Sequence, residues 1–357
     1  MEAAYFSGSI AAVTSLLAVF ALRPVASKLG LVDLPNHRKS HTGAVPLLGG
    51  LSTYAGLLVA WLISMPIVRG FGIYLLCSLL LVILGAIDDA REVPARFRLW
   101  AQVTLGALLA FGSGVYLTSF GNLLGFGVIA LEWLGPVVTV AAVIGATNAY
   151  NMMDGIDGLA GSMSLVTLIS LGCSFTLAPG FRLELALAVT IAMALLPYMA
   201  ANLRIYPFRR KIFMGDAGSM FIGFSVVWLL VNATRPGDMA MRPVTALWII
   251  AIPLMDMVAI MIRRFLKGQS VMKPDREHLH HIFMRAGFSD RQALTIITAA
   301  ATLFAGLGLA GEYFRVPEWI MFITFLAMFV LYYWSLTHIW RLLVLVRKKS
   351  GPSGTGI

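Results

Sequence analysis

Runs of about 20 apolar residues, separated by short charged loops, recur along the whole chain. An α-helix of that length crosses the hydrocarbon core of a bilayer. Segmentation on this pattern predicts eleven spans, over residues 3–22, 45–65, 71–88, 98–116, 133–150, 158–177, 183–201, 217–233, 244–263, 292–311 and 317–341. The fifth is interrupted by Pro136 and Gly145. The expected fold is an all-α integral membrane protein, with one polytopic domain over residues 1–345. A short disordered tail over 346–357, ending SGPSGTGI, completes the expected organisation.

Composition agrees: 59% of residues are hydrophobic, 12% are charged, and the mean hydropathy is +0.84. These values exclude an ordinary soluble domain. Charge then orients the spans. With eleven helices and the N-terminus outside, all but five of the 27 Lys and Arg residues fall on the odd-numbered loops and the tail. The five are Arg69, Arg182, Arg235, Arg242 and Arg315. This asymmetry predicts an N-out, C-in topology. Glu2, and the lack of any Lys or Arg before Arg23, argue against a cleavable signal peptide. The net charge of +10 suits topology and anionic lipids, so no nucleic-acid partner is implied. Cys77 and Cys173 lie within predicted spans and suggest neither a disulfide nor a metal cluster.

Against that apolar background, the stretch Asn148 to Gly161, NAYNMMDGIDGLAG, stands out. It places Asn148, Asn151, Asp154 and Asp157 at a spacing of three. Three residues advance an α-helix by about 300°, so one straight helix cannot aim all four at one ligand. Gly155 and Gly158 let the backbone turn between them, which predicts a helix ending near Asn151 and another starting near Gly158. Asn and Asp also cap helices, which is the structural alternative for this stretch.

Other polar groups fall in loops assigned to the same face. Asp88 and Asp89 close the third span, at the negative end of its dipole, where a cation, an arginine or a proton must offset them. Adjacent helical residues point about 100° apart, so one acid can serve substrate while the other is held structurally. Asp216 precedes Ala217-Gly218-Ser219 and the next span. It reads as an N-cap or as a metal ligand beside free N–H groups suited to phosphate. Phe213 reads as an interfacial anchor or a stacking surface for a base. In the longest loop, Asp275, Arg276, His278, His280 and His281 lie close together. No Cys is near and the spacing is not HExxH, so phosphate and sugar recognition fits them better than zinc. A basic interfacial segment is the alternative. Pro46, Gly49 and Gly50 permit close backbone approach, by a ligand or by a neighbouring helix. Asp256, inside the ninth span, is expected to pair with a neighbouring helix.

Carboxylates and an amide with basic residues alongside suggest Mg²⁺ bridging phosphate oxygens. Beside a membrane, this points to phosphoryl transfer onto or from a lipid phosphate. A transporter would place its acids near the bilayer midplane between repeated halves, and no repeat is visible here.

The motifs PNHRKSHTGAVPLLGG, LGAIDDAREVPARFRLWAQ, NAYNMMDGIDGLAG, RRKIFMGDAGSMFIG and PDREHLHHIFMRAGF occur in this order. Together they resemble the polyprenyl-phosphate N-acetylhexosamine-1-phosphate transferases, most closely the branch using undecaprenyl phosphate and GlcNAc-1-phosphate. That resemblance implies ten or eleven spans, a cytoplasmic active site in a bacterial inner membrane, Mg²⁺ (with Mn²⁺ able to substitute), and UDP-GlcNAc and undecaprenyl phosphate as substrates. It implies Asp88 and Asp89 as the catalytic pair, with Asp88 favoured as base, and Asp216 and Asn151 as metal ligands. Asp157 and Phe213 match uracil-contacting positions, and Asp154 belongs to the same acidic motif. Leu48 and Gly49 are candidate substrate contacts, and Arg98 stands where relatives carry a diphosphate-contacting Lys. The PDREHLHH segment matches the sugar-selecting loop. Relatives commonly form homodimers.

Overall fold

The computed structural model describes residues 2–34, 43–66, 68–269 and 278–349. Thirteen α-helices account for most of these residues. In chain order they are α1 (Glu2–Ala26), α2 (Gly49–Ser64), α3 (Arg69–Arg91), α4 (Ala95–Ala107), α5 (Gly135–Met152), α6 (Leu159–Leu177) and α7 (Arg182–Asn202). Then follow α8 (Gly215–Ala233), α9 (Pro243–Ile249), α10 (Ala251–Leu266), α11 (Leu279–Arg285), α12 (Asp290–Tyr313) and α13 (Glu318–Lys349). A two-stranded antiparallel ribbon, β1 (Val32–Asp33) with β2 (Val45–Pro46), lies between α1 and α2.

Among the described residues, eight helices are long and apolar enough to cross a membrane, or nine if the bent pair α9–α10 is one span. Four of the eleven expected spans differ from their prediction. The second begins at Gly49, because Val45 and Pro46 are spent in the ribbon and Leu47 bridges Phe213; α2 is thus 16 residues long. The fourth starts after Pro94, ends as an α-helix at Ala107, and continues as a π-helical turn over Leu108–Gly112. The ninth breaks into α9 and α10, which meet at 83°. Pro253 is the physical cause: it has no N–H for the Ile249 carbonyl, and its ring crowds the preceding turn. By contrast Pro136 leaves the fifth span whole, because it sits in the first turn, where its missing N–H costs nothing. Helix α13 runs on to Lys349, past the expected end at 341.

The bundle is built around α8, which is buried along almost its entire length. Small residues set its close packing. A Cβ on Gly50 would overlap the Gly218 backbone, and one on Gly85 would overlap Ala217, so α2 and α3 both approach α8 at backbone distance. Farther along, Trp61, Phe71, Trp228, Tyr74 and Phe224 form a continuous chain of ring contacts among α2, α3 and α8, stacked except for the edge-on meeting of Phe71 with Trp228. The Tyr74 hydroxyl is satisfied by Ser225 Oγ at 2.7 Å. These contacts fix the rotation and height of α8, and so the position of its N-terminus. We expect Gly50→Ala to destabilise the fold by about 1–3 kcal/mol through overpacking. Gly306→Ala, which meets open space on α12, should be neutral or mildly stabilising. Thermal unfolding of the detergent-purified variants checks both.

Candidate active site

Polar side chains gather where α3 and α5 end and α8 begins. Asp89 closes the last turn of α3, and its carboxylate accepts from the N–H groups of Asp216 (2.8 Å) and Ala217 (3.3 Å). One helix thus caps another in trans, and the positive end of α8 offsets an acid disfavoured at the end of α3. Gly215 precedes this contact with φ 73°, and any Cβ there would press on the Asp89 carboxylate. The N-cap alternative for Asp216 is not realised: Met214 occupies that position and Asp216 lies in the first turn. The two α8 amides expected to suit phosphate are donated to Asp89 instead.

Asp216 is turned outward. Its Oδ1 accepts from Asn151 Nδ2 at 2.6 Å, and its Oδ2 lies 3.2 Å from Arg98 Nη1. Asn151 Nδ2 also lies 3.0 Å from Ser219 Oγ. Arg98 reaches Asp88 as well, at 2.5 Å, so one guanidinium bridges two of the predicted acids. Asp88 is buried at 6% exposure and also accepts from the Val93 N–H at 2.7 Å. That bond follows from Glu92, which ends α3 in a left-handed conformation with φ 51°. The two aspartates are both held by protein, but differently: Asp88 by Arg98 and its own turn, and Asp89 by α8.

The turn after α5 follows the prediction. Helix α5 ends at Met152, α6 begins at Leu159, and Gly158 caps it with φ 82°. The Gly158 N–H is donated to Asn202 Oδ1 at 2.6 Å, and Asn202 Nδ2 is donated to the Ile212 carbonyl at 2.8 Å. Asn202 therefore ties this turn to the loop before α8. Of the four residues at spacing three, Asn148 turns away, donating to Gln102 Oε1 and the Ile144 carbonyl. Asp154 is partly withdrawn from water. Burial first, and then the Asp216 carboxylate, push its pKa up to about 7, with the Gly215 amide pulling the other way. Asp157 pairs with Lys211 at 3.1 Å, and Lys211 Nζ lies 4.6 Å from the centroid of the Phe213 ring.

Gly49 and Gly50 make their close approach to protein. Their N–H groups bond the carbonyls of Phe213 and Met214, both at 2.9 Å, and Leu48 beside them is buried. In the histidine segment, His278 Nδ1 lies 3.0 Å from Asp256; the expected pairing of that acid with a neighbouring helix is made instead by the Tyr332 hydroxyl of α13, at 2.9 Å. The His280 ring is buried, and neither nitrogen has a hydrogen-bond partner among the described residues. Burial first, and then His281 and His278, push its pKa down to about 3, so the ring is neutral near pH 7. Its edge lies on Gly155, where a Cβ would overlap it. His281 packs against His280 at 4.2 Å between ring centroids. Asp275 and Arg276 lie outside the described residues.

The structure thus joins Asp88, Asp89, Arg98, Asn151, Asp154 and Asp216 in one cluster, with Asp157, Lys211 and Phe213 at its edge. Sequence alone does not single out Lys211, Ser219 or Asn202. Lys211 stands in a run that reads only as topological charge, and the other two carry no distinguishing pattern. Among the described residues, no three His, Cys, Asp or Glu side chains are grouped to hold a metal alone. The donor set at Asp216 is one outward carboxylate beside the Asn151 amide, whose Nδ2 faces that carboxylate and whose oxygen would face it after a turn of the amide plane. That suits a hard cation that keeps waters and takes its remaining ligands from a phosphate.

Comparisons with known proteins concern the chain as a whole. The model of Glycosyl transferase family 4 matches residues 71–234, a region containing the aspartate pair, the polar turn and the α8 N-terminus. The chain is 44% identical over 335 residues to an undecaprenyl-phosphate alpha-N-acetylglucosaminyl 1-phosphate transferase of Yersinia pestis, covering 94% of this chain and 92% of that protein. Identity to the protein of the same name from Escherichia coli strain K12 is also 44%, over 95% of this chain and 92% of the relative. For the Pasteurella multocida counterpart it is 44%, with 94% of each chain covered. With near-complete coverage at that identity, this chain belongs to glycosyl transferase family 4.

Proposed function

We propose that this chain transfers GlcNAc-1-phosphate from UDP-GlcNAc to undecaprenyl phosphate, releasing UMP and starting a lipid-linked cell-surface glycan. The observation that carries it is the cluster of Arg98, Asn151, Asp154 and Asp216 at one end of a membrane bundle. The full-length similarity to transferases of that name supports it. An oxygen of the lipid phosphate attacks the β-phosphorus of the nucleotide sugar. The bond from that phosphorus to the bridging oxygen breaks, and UMP leaves with the electron pair. Such a displacement asks mainly for alignment and charge neutralisation.

Each part of the site has a role in this scheme. Asp216 and Asn151 are the proposed Mg²⁺ ligands, and the ion, when bound, supplies charge neutralisation for the diphosphate. Asp88 and Asp89 form the catalytic pair, with Asp88 the proposed acceptor of the lipid phosphate proton. That proton leaves near pH 6 in phosphate monoesters, so the acceptor needs little basicity. Asp157 and Phe213 hold uracil, and the segment from Asp275 to His281 selects the sugar. An apolar cavity of ≈ 310 Å³ among α5, α8, α9 and α10 reaches Ala149 and Tyr150, next to Asn151. Its walls suit a stretch of polyprenyl chain. In this scheme the full set of eleven spans is N-out and C-in, α2, α4 and the broken α9–α10 pair completing the eight long helices. The site then faces the cytoplasm from a bacterial inner membrane.

UMP release by the purified protein tests the proposal, using undecaprenyl phosphate and a panel of UDP-sugars with and without Mg²⁺. Mg²⁺-dependent release with UDP-GlcNAc is expected, and release only with another UDP-sugar would reassign the donor. No release with any donor would overturn the proposal. Asp216→Ala and Asn151→Ala are each expected to lose about 100-fold or more in Mg²⁺-dependent turnover while still reaching the membrane. Turnover near wild type in either variant would remove that residue from the ligand set.

A further inference from the structure

Asp256 is fully buried in α10, beyond the 83° break in its span. An acid in such a place costs several kcal/mol unless its charge is met. Here three donors from two other segments meet it. Oδ2 lies 3.0 Å from His278 Nδ1, while Oδ1 accepts from the Leu279 N–H at 3.1 Å and from the Tyr332 hydroxyl of α13 at 2.9 Å. A carboxylate accepts at these distances, so His278 Nδ1 carries the proton and the ring orientation is set.

The consequence runs along the segment. His278 stacks on His280 with centroids 5.8 Å apart and rings within 4° of parallel. His280 in turn rests on Gly155, in the turn bearing Asp154 and Asp157. The contact admits no side chain at 155, so the ring and the turn share one seat. Among the described residues the His280 nitrogens find no hydrogen-bond partner, so stacking and packing place the ring. Two residues before it, at His278, the Asp256 carboxylate is a polar fixing point of the same segment.

We propose that Asp256, with Tyr332, is a positioning residue for the proposed transfer, holding the histidine segment so that His280 is seated on the Asp154–Asp157 turn. Asp256 touches no substrate in this scheme and acts through His278 and the Leu279 amide. The broken span thereby acquires a purpose, since α10 carries an acid to the depth at which the loop after it must be anchored.

Two measurements on the full-length protein test this: steady-state turnover with UMP affinity, and amide hydrogen exchange. Asp256→Ala and Gly155→Ala are each expected to lower kcat about tenfold or more, the usual cost of removing a positioning partner, while UMP affinity falls by a smaller factor because Asp157 keeps its Lys211 pair. Tyr332→Phe, which removes one of three bonds, should lower kcat roughly fivefold. Because both larger changes unseat the same ring, the double variant should lose little more than the worse single variant. Exchange should quicken together in residues 279–285 and 154–158 of Asp256→Ala. Multiplying losses in the double variant, or quickened exchange confined to 279–285 with unchanged kcat, would overturn the inference. Should Asp256→Ala fail to fold, Tyr332→Phe and Gly155→Ala decide by the same two readouts. The inference rests on the transferase proposal for its kinetic arm alone. If wild type releases no UMP, that proposal fails, while hydrogen exchange still decides the seating.

Discussion

The Asp89 carboxylate on the first amides of α8 is the contact on which the rest of the site depends. It resolves two electrostatic problems at once. The end of α3 carries partial negative charge and two acids, and the start of α8 carries partial positive charge and N–H groups without helical partners. Bringing them together satisfies both. It also fixes where Asp216 points, because Asp216 donates its own N–H to Asp89 and projects its side chain the other way. Gly215 with φ 73° is what allows the approach.

From that joint, the polar groups spread outward in a defined order. Arg98 meets both Asp88 and Asp216, Asn151 meets Asp216, and Lys211 meets Asp157. Acids this close together beside a membrane raise one another's pKa, as Asp216 does for Asp154. Such a cluster holds its charge most readily beside cations, as Arg98 does for Asp88 and Asp216 and Lys211 for Asp157. The backbone beneath is correspondingly rigid. Glycine contacts bring α2 and α3 to α8 at backbone distance, and Asn202 ties the α5–α6 turn to the loop before α8. A preorganised frame of this kind is what alignment-driven phosphoryl transfer requires.

The second anchor lies apart from the first. Asp256 binds the histidine segment from inside α10, and His280 carries that constraint to Gly155. The histidine segment after the broken span is therefore fastened both to α10 and to the acidic turn. Pro253, which cannot bond the Ile249 carbonyl, stands at the 83° break between α9 and α10.

Much of this was legible in the chain itself. Apolar runs determined an all-helical membrane protein, because hydrocarbon demands that each span satisfy its own backbone. Polarity in NAYNMMDGIDGLAG determined the turn between α5 and α6, because glycine positions tell where a helix stops. Acids in an apolar chain named most of the polar cluster, because their cost near a bilayer leaves few other reasons for them. Local pattern misjudged α2, α4 and the α9–α10 break, where ribbon pairing and proline geometry outweigh hydropathy. Tertiary structure alone decided the partners: that Asp89 rather than Asp216 caps α8, that Asn148 turns away, and that Lys211, Asn202 and Asp256 hold the loops. Partner choice depends on helix rotation and depth. Those are set by backbone-close contacts such as Gly50 with Gly218 and Gly85 with Ala217, between residues distant in sequence, so no local pattern records them.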